Sequence, residues 1–96
     1  MENNNIYQNI FDHYLDIMSD TFRKKNNDYG NSFFDSCTEE GIVAARVRLS
    51  DKWNRFKTLS KGTENQVKDE SIADTLLDMA NYCIMTLTWL NSTVKK

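Results

Sequence analysis

Three acidic residues near the C-terminal end of the sequence, Glu70, Asp74 and Asp78, follow one another at intervals of four. On a helix turning about 100° per residue they share an arc of roughly 80°, and Asn81 falls inside it. Like charges at i,i+4 repel, so stacked carboxylates call for something positive beside them. A divalent cation would serve, and Mg²⁺ favours carboxylate oxygens and readily takes further oxygens from a phosphate ligand. A basic partner helix would also serve. A second cluster, Arg48, Asp51, Lys52 and Arg55, shares one face of an earlier segment. It is open to two roles: a surface ladder in which Asp51 pairs with Arg48 and Arg55, or a set of cations facing the later carboxylates or a ligand phosphate. A third group, Lys24-Lys25-Asn26-Asn27-Asp28-Tyr29-Gly30, joins cations, an acid and an aromatic. Lys25 could reach a phosphate and Tyr29 could stack on a base. A plain helix terminus accounts for the lysines and the glycine of that group, and less well for Asp28 and Tyr29. The acidic face of the last segment could equally be solvated. Its helix is otherwise so apolar, however, that little of it can stay exposed.

Other chemistries find no support. His13 is the single histidine and has no Cys or Asp in a ligand pattern around it. There is no Ser-His-Asp order, no Gly-rich phosphate loop and no Cys cluster, which argues against a covalent nucleophile. Cys37 and Cys83 lie far apart and read as reduced thiols, one in a loop and one in a core.

The elements that must position these groups are helices. Segment one, about 5–26, repeats Ile6, Ile10, Tyr14, Ile17 or Met18, and Phe22 at spacings of three and four, and Asp28-Tyr29-Gly30-Asn31 breaks the pattern. Segment two begins near Ser36 or Thr38, where Ser36-Cys37-Thr38-Glu39 matches a capping box. Its apolar face is Ile42, Ala45, Leu49, Trp53, Phe56 and Leu59. Lys61–Gln66 is a polar linker. Segment three runs from about Asp69, a plausible N-cap, to Asn91, with a core stripe of Ile72, Leu76, Met79, Cys83, Leu87 and Leu90. Beyond Cys83 the apolar residues Ile84, Met85 and Trp89 spread around the helix, which must then be buried on most sides. Three helices do not readily achieve that alone. The expected fold is therefore all-α, a single domain over residues 1–96, with three main helices in a bundle completed by self-association through the 83–90 end of the last helix.

Bulk properties agree. The chain has 96 residues, no proline, three glycines and 40% hydrophobic residues. That suits one compact helical domain, though so short a chain buries only about 60–65% of its unfolded surface. A net charge of -2 and a pI near 5.3 disfavour bulk nucleic-acid binding, while leaving room for a small phosphorylated ligand held by local cations. The first residues lack the basic and apolar regions of a signal peptide, and no apolar run approaches the ~18–20 residues of a membrane span. A cytoplasmic protein is expected.

Three segments resemble, in order, the motifs of the nucleotide modification associated domain family: Asp28-Tyr29-Gly30-Asn31-Ser32-Phe33 preceded by Lys25; Arg48-Leu49-Ser50-Asp51-Lys52-Trp53-Asn54-Arg55; and Lys68 through Tyr82. The similarity covers about 24–90. It implies a phage or prophage origin and a link to nucleotide metabolism, without specifying a reaction. A more distant similarity is to MazG-like all-α nucleoside triphosphate pyrophosphohydrolases, which hold Mg²⁺ with a Glu-x-x-Glu pair and a later Glu-x-x-Asp pair. Glu70 and Asp74 match the later pair with altered spacing. The earlier pair is missing, and Arg48, Asp51 and Lys52 stand where it is expected. These resemblances imply a nucleotide-binding protein whose phosphate and base contacts come from Lys25, Asp28, Tyr29, Arg48, Lys52, Arg55, Asn81 and Tyr82, with Glu70, Asp74 and Asp78 as Mg²⁺ ligands. It would sequester its ligand, such as a nucleotide defence signal, without turnover. Two alternatives stand beside it: a Mg²⁺-dependent pyrophosphohydrolase acting on nucleoside triphosphates, and a structural or protein-interaction module whose charges pair internally.

Overall fold

The computed structural model describes the backbone of residues 2–29, 31–61 and 68–94, and side chains at 5–27, 31–61 and 72–92. The described residues form four α-helices and no strand: α1 (Glu2–Tyr29), α2 (Ser32–Glu40), α3 (Val43–Ser60) and α4 (Lys68–Val94). All-α is correct, but there are four helices where the periodicity suggests three. The chain divides into two compact units, residues 1–30 and 31–96.

The first unit is α1. It runs through Asp28 and Tyr29, where a break was expected. No Gly or Pro precedes Gly30, and Asn and Asp cost a helix only a few tenths of a kcal/mol each relative to better formers, too little to stop one already propagating. Of its expected stripe, Met18 is buried, Ile17 and Phe22 are half-buried, and Ile6, Ile10 and Tyr14 are exposed. His13 is exposed, its ring edge-on to Tyr14 at 5.4 Å.

The second unit holds α2, α3 and α4. The helix α2 occupies the stretch expected to be a loop leading to a capping box. Ser36 and Thr38 lie inside it, and the Thr38 hydroxyl donates to the Phe34 carbonyl at 3.0 Å instead of capping a helix start. What ends α2 is Gly41. Its N–H donates to the Cys37 carbonyl at 2.7 Å, and its φ of 82° with ψ of -169° is a backbone state that only glycine adopts at low cost. The chain then turns into α3, with the Ala44 and Arg46 N–H groups donating to the carbonyls of Gly41 and Ile42. The expected N-cap Asp69 lies within α4, and its side chain is outside the described residues.

The core of this unit is Phe33 and Cys37 of α2 with Ala45 of α3, against which Phe34, Ala44, Tyr82, Met85 and Trp89 pack. Helix α2 is fastened to α4 by the Trp89 Nε1–H, which donates to Thr38 Oγ1 at 3.2 Å. Cys37, expected in a loop, is fully buried, and Cys83, expected in a core, is exposed; both are free thiols. Burial pushes the Cys37 thiol above its ordinary value of 9.0, against a smaller opposing effect of a hydrogen bond from the Ala45 backbone.

Candidate functional site

Two helical seams face each other in the second unit. On α3 the seam is Ala45, Leu49, Lys52, Phe56 and Leu59, with Ala44 also half-buried; on α4 Thr75 is buried and Asp78, Tyr82, Met85 and Trp89 lie in line with it, among other half-buried residues such as Ile72, Leu77, Met79 and Asn81. Both follow the alternating three-and-four spacing of helices packed side by side. The expected core stripe of α4 is covered only in part: Ile72 and Met79 are half-buried like most of the seam, while Leu76, Cys83, Leu87 and Leu90 are exposed. Trp53 of α3 and Ile42 just before it are likewise exposed, and Lys52 takes a seam position. Lys52 and Asp78 neutralise one another at the seam, which lets each helix turn a polar residue inward there.

The contact is direct. Lys52 Nζ donates to Asp78 Oδ2 at 3.2 Å, with side-chain exposures of 28% and 35%. Stacked carboxylates on α4 thus have at least part of their compensation in a lysine of α3. Ala45 packs near Met85 and Trp89 while Lys52 meets Asp78, so position rises along α3 as it falls along α4, and the two helices run antiparallel. At about 100° per residue, Arg48 and Arg55 lie roughly 60–80° to one side of the α3 seam, and Asp74 and Asn81 a similar angle to one side of the α4 seam. In an antiparallel pair these offsets fall on the same side. Trp53 of α3 and Ile42 just before it, with Leu76, Cys83 and Leu90 on α4, are offset the other way, together with the cations Arg46 and Lys57, whose ammonium lies 5.8 Å from the Trp53 ring centre.

On the charged side Arg48, Asp51, Arg55 and Asp74 are exposed and Asn81 is half-buried. Among the described residues no ion pair within 4.0 Å joins Asp51 to Arg48 or Arg55, so of the two roles open to this cluster the ladder along α3 is not formed. Tyr82 is placed differently from expectation. Its ring packs on Phe33 with centroids 5.2 Å apart, as part of the core. Lys25 is exposed on α1, in the other unit. The side chains of Asp28, Tyr29 and Glu70 lie outside the described residues. Thr75, buried at 2% exposure, escaped the sequence reading; its one signal was its place three residues before Asp78 in the seam spacing.

Of the three expected metal ligands, Asp74 and Asp78 are described and Glu70's side chain is not. Among the described residues no group of three or more His, Cys, Asp or Glu could hold an ion, and Asp78 is already engaged by Lys52. What the arrangement offers is two exposed guanidiniums flanking a half-buried ion pair, a pattern suited to oxygen-rich anions.

The fold and site define a helical-hairpin protein with a charged flank built from α3 and α4. The chain belongs to the family described as nucleotide modification associated domain 1, whose model matches residues 25–90, a span that contains every candidate site residue. No curated protein and no solved structure matches the chain. Among the described residues no helix is long and apolar enough to cross a membrane.

Proposed function

We propose that this protein binds a phosphorylated nucleotide on the charged side of the α3–α4 hairpin and holds it without turnover. The observation that carries this is the Lys52–Asp78 contact with Arg48 and Arg55 beside it and no carboxylate of α3 holding either arginine. Arg48 and Arg55 would take phosphate oxygens through bidentate hydrogen bonds, and Lys52 would share its remaining donors between Asp78 and the ligand. Asp74 and Asn81 would meet sugar or base donors. The family's description, with its nucleotide connection, supports the ligand class. Self-association through the 83–90 end of α4, a cytoplasmic setting and a phage or prophage origin complete the proposal. Capture of a nucleotide defence signal is its biological form.

A second reading, a Mg²⁺-dependent pyrophosphohydrolase, keeps Glu70, Asp74 and Asp78 as metal ligands. It is favoured by the four-residue spacing of these acids on one helix. Against it stand the Lys52 contact to Asp78 and the lack of an acidic pair on α3. The deciding experiment is a thermal-shift screen of nucleoside triphosphates and cyclic dinucleotides with and without Mg²⁺, followed by mass analysis of ligand recovered after heat denaturation. Intact ligand and a metal-independent shift support sequestration. Pyrophosphate released only with Mg²⁺, and lost in Asp74→Ala, supports the hydrolase. No shift with any nucleotide rejects both and leaves a structural module.

A further inference from the structure

The antiparallel register of α3 and α4 sets which residues of the charged side stand level with one another. Lys52 meets Asp78, so each step forward along α3 is matched by a step back along α4. Arg55, three residues past Lys52, stands level with Thr75 and hence with its neighbour Asp74. Arg48, four residues before Lys52, stands level with Tyr82 and its neighbour Asn81. The two levels lie about 10 Å apart along the hairpin, at a rise of roughly 1.5 Å per residue. They differ in charge. At the Arg48 level a guanidinium is matched by an amide, which leaves that level cationic. At the Arg55 level a guanidinium is matched by a carboxylate, which leaves it balanced. Asp51, one turn from each arginine on α3, affects both levels alike. Arg48, Arg55 and Asp74 are exposed. Among the described residues no ion pair within 4.0 Å joins Arg55 to Asp74, so neither is used up on the other.

A nucleotide is graded in the same sense, anionic at its phosphate and neutral at its base. A carboxylate repels phosphate, so the Asp74 level suits the end of the ligand away from it. Resting on the nucleotide reading and going beyond it, we infer that Asp74, with Arg55 beside it, selects guanine. An ionised carboxylate only accepts hydrogen bonds, and both of its oxygens call for donors. Guanine sets two N–H donors side by side, on N1 and N2, with the O6 acceptor next to them. Asp74 accepts from the two donors, and an N–H of Arg55 that is not on phosphate donates to O6. Adenine and cytosine set one amino group beside a ring-nitrogen acceptor, and thymine or uracil sets one N–H between two carbonyls. Each of these leaves a carboxylate oxygen facing an acceptor. Ribose hydroxyls also donate to a carboxylate, but they set no carbonyl beside the donors for Arg55 to meet.

The test is titration calorimetry on the full chain with guanine and adenine versions of three phosphate patterns: monophosphate, triphosphate and cyclic dinucleotide. In every pattern that binds, guanine should bind roughly 10- to 100-fold tighter than adenine. Hypoxanthine, which lacks the amino group on the donor edge, should lose most of that margin, and a deoxyribose should keep it. Asp74→Asn should bring guanine down to the level of adenine, because an amide replaces one acceptor with a donor. Asp74 is exposed, so the variant should melt as the wild type does. If it fails to fold, Asp74→Ala takes its place with the same expectation. Equal binding of guanine and adenine overturns the inference and leaves the nucleotide reading standing. A guanine preference that survives Asp74→Asn also overturns it, and puts base recognition elsewhere. So does a loss on going to deoxyribose that is the same for both bases, which gives Asp74 to the sugar. If no nucleotide binds in any pattern, the nucleotide reading falls and guanine selection falls with it.

Discussion

Lys52 Nζ meets Asp78 Oδ2 at 3.2 Å across the α3–α4 seam, so the polar member of one helix's packed face is answered by the polar member of the other's. Such a pair selects the register in which both partners are satisfied, because a slip by one turn would leave an ammonium against apolar side chains. Both side chains are about a third exposed, and solvent screens much of their attraction.

A double-mutant cycle on this pair therefore has a modest expected outcome. Lys52→Met and Asp78→Ala should each lower stability by about 1 kcal/mol, mostly by leaving the other half-buried charge without its partner. The double substitution should cost less than the two together, with a coupling of about 0.5 kcal/mol that shrinks at high salt. Urea unfolding at low and high salt measures both quantities. A coupling of zero at low salt would remove the pair's role in register.

Gly41→Ala tests the junction between α2 and α3. The added methyl meets no atom within 4 Å, so no clash contributes. The cost is the backbone itself: φ of 82° with ψ of -169° is nearly exclusive to glycine, and an L-residue held there loses about 1–3 kcal/mol. The expected outcome is a lower urea midpoint at an unchanged m-value, with helicity retained. An undiminished midpoint would show that the chain turns this corner some other way.

Much of the fold was legible in the sequence. The span of α4 was read to within three residues at each end, since a long apolar period without Gly or Pro leaves little choice. Helix α2 was missed because its two core residues, Phe33 and Cys37, make only one turn of pattern, and Ser36 and Thr38 resemble a cap when read alone. The stripe of α4 was misplaced in part for a different reason. Periodicity reports which residues avoid water, not what covers them, and the stripe of Leu76, Cys83 and Leu87 obeys the same rule as a core. A sequence does not say that Lys52, and not an arginine, reaches Asp78. That depends on the antiparallel register of two helices.

Cys37 supplies a pH prediction. Its thiol titrates higher in the folded chain than the ordinary value of 9.0 because burial disfavours the thiolate. Above about pH 9 the unfolded chain loses this proton while the folded chain keeps it, so the folded state binds more protons and stability falls as pH rises. The contribution is complete below the unfolded pKa and is lost as pH climbs through the folded one. Stability followed from pH 8 to about 10.5 should decline for wild type more steeply than for Cys37→Ala. That variant should itself cost about 1–2 kcal/mol at neutral pH through the small cavity it leaves. Equal slopes would place the titration elsewhere.

Arg48 and Arg55 carry the sharpest prediction about the charged side. Both are exposed and, among the described residues, neither pairs with Asp51, so replacing either should change stability by no more than about 0.5 kcal/mol. A charge-assisted hydrogen bond to a phosphate oxygen contributes about 1.5–3 kcal/mol, so Arg48→Ala or Arg55→Ala should weaken nucleotide binding by roughly 10- to 100-fold. Arg46 is exposed on the same helix but falls on the opposite side of the seam, and Arg46→Ala should bind as wild type does. Titration calorimetry with the ligand found by thermal shift makes the comparison. If all three substitutions weaken binding alike, the effect is net charge and the site is not here. If Arg48 and Arg55 matter and Arg46 does not, the ligand lies along the side of the hairpin that Lys52 and Asp78 define.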